Sequence, residues 1–83
     1  MDFIIESLKK QEPSFEELIA CLEKIKSNGE VAVIKFDGQR KDSSYTVFVS
    51  FPDNKREMIR ADENDLKKAL VNVLLRYVEE YRT

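Results

Sequence analysis

Three clusters of carboxylates have the type and spacing that could do chemistry: Glu16-Glu17, Glu79-Glu80, and Asp62-Glu63 with Asp65. General acid–base work needs groups whose pKa values are pushed apart, commonly by a neighbouring His, Lys or metal ion. The chain has no histidine, which removes the commonest general base and metal ligand. Glu16-Glu17 and the 62–65 cluster fall where helices are expected to start, and there carboxylates favour the positive end of the dipole. Nothing near Asp62, Glu63 and Asp65 has the spacing of a calcium loop. Cys21, the single cysteine, falls mid-helix beside an apolar stripe, with no base to draw off its proton. Ser43, Ser44 and Ser50 likewise lack a base. The chain therefore reads as non-catalytic, with no metal and no cofactor.

The cations suggest binding instead. Strand direction gathers Lys24, Lys26, Lys55, Arg56, Arg76 and Arg82 at one pole, beside two helix C-termini whose dipoles favour them. Asn54, Lys55, Arg56 and Lys26 are the candidate contacts for a nucleotide or other anionic ligand, with Tyr77 and Tyr81 as stacking surface. Arg56 is then an open side chain, whose reversal to Glu is expected to move stability by no more than about 0.5 kcal/mol. No Gly-rich phosphate loop accompanies these residues. At the opposite pole Arg40 and Lys41 are offset by Asp37 and Asp42.

The elements that position these groups are legible from periodicity. Residues 1–12 make an N-terminal arm or short helix carrying Phe3, Ile4, Ile5 and Leu8, stopped at Glu12-Pro13. Ser14 and Glu17 form a capping box that opens a helix over 14–28. Its stripe is Phe15, Leu18, Ile19, Leu22 and Ile25, and Gly29 ends it in the left-handed region. Strands follow over 30–36, 44–51 and 56–61, within a three-stranded unit spanning 30–61. The last helix, 63–82, is capped by Asp62 or Asn64. Leu66, Ala69, Leu70, Val73, Leu74, Tyr77, Val78 and Tyr81 form its buried stripe. The fold class is α+β: helix, three antiparallel strands, helix, in two layers.

Alternation places Tyr45, Val47, Val49 and Phe51 on one sheet face, and Val31, Val33 and Phe48 on the other among polar neighbours. The second face is covered by the N-terminal arm, covered by another chain, or left as scattered surface apolars. Val71 and Leu75 lie on the far side of the last helix, one turn apart. These five residues are the candidate interface, for another protein or for a homodimer.

Composition narrows the classes. One domain of 83 residues buries roughly 60–65% of its unfolded surface, so stability is marginal. The net charge is −2, with six basic and five acidic residues over 30–61, which argues against nucleic acid as partner. There is no leader and no apolar run long enough for a membrane. A lone cysteine fits a reducing, cytoplasmic home. The element order is shared with double-stranded RNA-binding domains, but their Lys-rich motif at the last helix is replaced here by Asp62-Glu63-Asn64-Asp65, with Lys67-Lys68 following.

In its first helix, EELIACLEKIKSNG, its strand unit and its last helix, DLKKALVNVLLRYVEE, the chain resembles small phage-encoded ABA-sandwich domains over about 14–80. Its last helix departs from that pattern by carrying Leu and Val in place of smaller, Ala-rich packing. The resemblance implies a viral or prophage accessory protein that acts by binding, as an inhibitor or immunity-type protein.

Overall fold

The structure is a computed structural model that describes residues 1–53 and 56–82, with side chains described as far as residue 80. Asn54 and Lys55, two of the expected ligand contacts, lie outside the described residues, as do the side chains of Tyr81 and Arg82. The elements run α1 (Asp2–Lys9), α2 (Phe15–Ser27), β1 (Val31–Phe36), β2 (Tyr45–Ser50), β3 (Ile59–Glu63) and α3 (Leu66–Arg82). The expected α+β order therefore holds, and the N-terminal stretch is a helix.

The sheet is antiparallel in the order β1-β2-β3. Ile34 lies opposite Val47, and Val47 opposite Ala61. Val47, Val49, Ile59 and Ala61 are buried against the helices, with Leu70, Val73 and Leu74 of α3 fully enclosed over them. α3 packs on β2 and β3, and α2 on β1. α1 touches α2 and α3 but no strand. All three helices thus lie on one side of the sheet. Of the three alternatives for the Phe48 face, cover by the N-terminal arm is excluded, because α1 packs on α2 and α3 and Ile4 is enclosed there.

That docking also turns α2. Leu18, Cys21 and Ile25 form its buried stripe, while Phe15 and Ile19 are exposed. Cys21 was expected beside the stripe and is instead at its centre, with Ser7 of α1 buried next to it. Burial pushes the thiol up, so it stays protonated and inert.

The ends of α2 are built as the sequence implies. The Glu17 amide donates to Ser14 Oγ at 3.1 Å, and the Ser14 amide donates to Glu17 Oε1 at 3.0 Å. At the other end Gly29, at φ +84°, donates to the Lys26 carbonyl, and Glu30 donates to the Ile25 carbonyl. This pair of bonds defines a Schellman motif.

The third strand and last helix are displaced from expectation. β3 begins at Ile59 and keeps Asp62 and Glu63, so α3 starts only at Leu66 and has no acid in its first turn. Asn64 accepts from the Ser43 amide, and the cap passes to Asp65, whose Oδ2 accepts from the Lys68 amide at 2.9 Å.

Tyr77 of α3 is fully enclosed. Its hydroxyl donates to Glu30 Oε1 at 2.6 Å and accepts from Asn28 Nδ2 at 3.1 Å. Its ring stacks on Phe51, 6.2 Å between centroids at 8°. Tyr77 is therefore core, not stacking surface at a ligand pole. Tyr77→Phe takes one donor from the buried Glu30 carboxylate, and an expected loss of about 1–3 kcal/mol is checked by urea unfolding.

Glu17 sets part of the acid limit. The Lys10 ammonium first, then the Ser14 amide, hold its carboxyl at about 2, down from 4.5. A carboxylate depressed in the folded state stabilises fully above its unfolded value, and that contribution is lost as pH falls through the folded one. The Glu17→Gln variant should be less stable than wild type at neutral pH. The gap in Tm should close as pH drops from 4.5 towards about 2, and a gap that persists unchanged at low pH counts against this assignment.

Candidate interaction face

The bare side of the sheet is the candidate site. Period-two alternation sends Val31, Val33 and Lys35 of β1, Thr46, Phe48 and Ser50 of β2, and Arg60 and Asp62 of β3 to this face. Cross-strand pairing lines up Val33, Phe48 and Arg60 in one row, and Lys35, Thr46 and Asp62 in the next. Phe48 thus stands half-buried at the centre, with Val33 on one flank and the Arg60 stem on the other. Met58 precedes β3, continues its alternation and is half exposed.

Asp62 organises the polar part. Arg60 donates to it twice, Nε to Oδ2 at 3.1 Å and Nη2 to Oδ1 at 3.2 Å. Arg40 Nη1 adds a bond at 3.2 Å and Thr46 Oγ1 another. With so many donors, Arg60 foremost and Thr46 next, the carboxyl is held well below the usual range. Two guanidiniums share one carboxylate, while Lys35 is matched by Asp37 at 3.4 Å. The cluster therefore keeps one positive charge in excess, beside an aromatic and two valines.

The structure brings together Phe48, Val31 and Val33 as the sequence implied, and separates them from Val71 and Leu75. Those two line a groove of about 680 Å³ between residues 8–13 and α3, on the helical side of the molecule. Leu8 and Pro13 complete its apolar part, and Lys10, Glu12, Glu63, Asp65, Lys67 and Lys68 give it a rim of mixed sign.

Among the described residues, two cations of the expected pole are already engaged. Arg76 Nη1 donates to the Arg60 carbonyl at 2.6 Å, so it is bound to the β3 edge. Arg56 is half-buried with its guanidinium 5.7 Å from the Phe51 ring centre. Lys26 is exposed at the end of α2 beside a shallow cleft with Ile19 and Leu22. The Asp62 cluster was the feature that sequence reasoning missed. The available signal was Arg60 and Asp62 two residues apart on a strand, hence on one face.

Among the described residues no group of three His, Cys, Asp or Glu side chains is placed to hold a metal ion. No described helix is long and apolar enough to cross a membrane. No protein-family model matches the chain, and no curated protein or solved structure matches it either.

Because Arg56 covers Phe51, its charge reversal is not the neutral surface change that the sequence suggested. Arg56→Glu should lose about 1–2 kcal/mol, the scale of a partly desolvated cation–π contact. For a domain of this size that lowers Tm by roughly 5–10 °C, as circular dichroism would show.

Proposed function

We propose that this is a non-catalytic protein-binding domain of the inhibitor or immunity type, which recognises another protein through the bare face of its sheet. The observation that supports this reading is the one-sided helical layer, which leaves Phe48 at the centre of an uncovered face. Aromatic side chains in such positions supply most of the energy in protein interfaces, and polar rims supply orientation. Phe48 with Val31 and Val33 forms the apolar centre, and the Arg60–Asp62–Arg40 cluster forms the rim. The excess cation favours a partner that presents an apolar side chain flanked by a carboxylate. The likeness of residues 14–80 to phage-encoded sandwich domains agrees with such a role.

The test is site-specific photo-crosslinking in cells, with a benzophenone side chain at Ser50, beside Phe48, and a control at Leu75. A single heterologous protein linked from Ser50, lost on Phe48→Ala and weakened by Arg60→Glu, is the expected outcome. Crosslinks from Leu75 alone would move the interface to the helical groove and overturn the proposal. A nucleotide-dependent rise in Tm, which mass action requires of a sequestering protein, would replace it with the anionic-ligand reading.

A further inference from the structure

The two edges of the sheet are not equivalent. On the β3 side, residues 59, 61 and 63 pair with β2, so Arg60 turns its carbonyl outward, where the Arg76 guanidinium caps it. On the β1 side the Asp37 amide donates to the Ser44 carbonyl at 2.8 Å. Bonded pairs alternate along an antiparallel ladder, so residues 31, 33, 35 and 37 face β2. The amides and carbonyls of Ala32, Ile34 and Phe36 point away from the sheet. Among the described residues no bond to them is seen. β1 has no proline and no bulge, and its register is continuous. Native proteins usually blunt a free edge of this kind.

The same three residues project their side chains to the helical side. Phe36 is 68% exposed, the highest among the large apolar residues that are described, with its ring edge-on to Tyr45. Four residues back along the strand, α2 and β1 form a shallow cleft of about 320 Å³, floored by Ala32 and Val31 and walled by Ile19 and Leu22, with Glu23, Lys26 and Glu30 completing its lining. A knob and a hole thus stand at opposite ends of one free strand, on one face.

From this we infer that the chain pairs with a second copy of itself, β1 against β1 in antiparallel register about a two-fold axis at Ile34. In that register Ala32 faces Phe36 of the partner subunit, and each outward amide and carbonyl meets its counterpart. Each Phe36 ring enters the other chain's α2–β1 cleft. The alternative centre at Val33 would require the Glu30 amide, which is already committed to the Ile25 carbonyl. An isologous contact needs self-complementarity, and this edge has it in backbone, in shape and in charge. Lys35 faces Val33 across the seam with its charge already matched by Asp37, so no like charges are opposed.

Two Phe36 rings, each offering most of a surface of roughly 150–250 Å², join Ile19, Val31 and the strand backbones. That places the contact at the small end of specific interfaces, at or below about 1,200 Å² in total, the class in which weak, reversible association in the micromolar range is expected. The six-stranded sheet so formed carries two Phe48 faces side by side. The inference stands on the edge and the cleft alone, and it does not require a heterologous partner on those faces.

Sedimentation equilibrium of the intact chain tests it. The expected mass rises towards twice 9.7 kDa between about 1 µM and 1 mM, the range over which a micromolar Kd acts. Phe36→Asp should hold the protein monomeric with its melt preserved, since the side chain is exposed. The Phe48→Ala variant should dimerise normally, which separates this contact from the proposed binding face. Mixing Val33→Cys with Lys35→Cys chains under mild oxidant should give the mixed disulfide, because those positions face each other in a non-bonded pair. A protein monomeric throughout, a Phe36→Asp chain that still dimerises, or a disulfide from Val33→Cys alone would overturn the inference.

Discussion

The buried phenol of Tyr77 is the constraint on which the remaining structure depends. A hydroxyl taken fully out of water has to find partners inside, or it costs more than the ring contributes. Here the partners are the carboxylate of Glu30 and the amide of Asn28. Both come from the few residues that end α2 and begin β1. One side chain of α3 thereby fixes the distance between the last helix and the turn joining α2 to β1. The Schellman bonds around Gly29 hold that turn from within. Phe51, stacked on the same ring, carries the constraint to the end of β2, and Arg56 covers Phe51 from outside. Among the described residues, the pole that looks cationic in sequence thus contains a buried polar clasp with a guanidinium laid over Phe51.

Once α3 is held there, the helical layer has no freedom to straddle the sheet. α2 is tied to the same turn, and α1 reaches both helices but no strand. An 83-residue chain has little surplus apolar surface, and its three helices together cover one face of three short strands. The other face is left to whatever its side chains can do alone. Thr46 and Asp62 show how it is kept from being simply apolar. Thr46 and two arginines all donate to the Asp62 carboxylate and saturate that charge on the open face.

The sequence disclosed what depends on local chemistry and withheld what depends on docking. The α3 stripe, the Ser14–Glu17 box, Gly29 and the alternation of β2 are set within a few residues, and each was readable. The orientation of α2 was not. Leu18, Ile19, Leu22 and Ile25 allow several stripes, and only the seating of α1, with its Ser7 against Cys21, chooses one. The boundary between β3 and α3 was misplaced for the same reason. Asp62 looks like a helix cap until Arg40, some twenty residues away, and Arg60 claim it for the strand. Of the candidate site, the Phe48 face was legible because a period of two leaves no other place for Val31, Val33 and Phe48. That it would stay bare could not be read, since Ile4 and Leu8 suit a sheet face as well as a helical crevice.

A bare face beside a bare edge is a hazard for most small domains, because an unpaired strand invites chains of any kind. The two surfaces differ in how selective they are. On the open face the arginines, Asp62 and Lys35 leave only a narrow apolar island, so a partner must match both the island and the charge around it. The β1 edge offers backbone groups that any strand could meet, but its side chains are particular. Phe36 overhangs at one end and the α2–β1 cleft opens at the other. The self-pairing inferred above would fill both, because the chain carries the knob and the cleft on one face of the same strand.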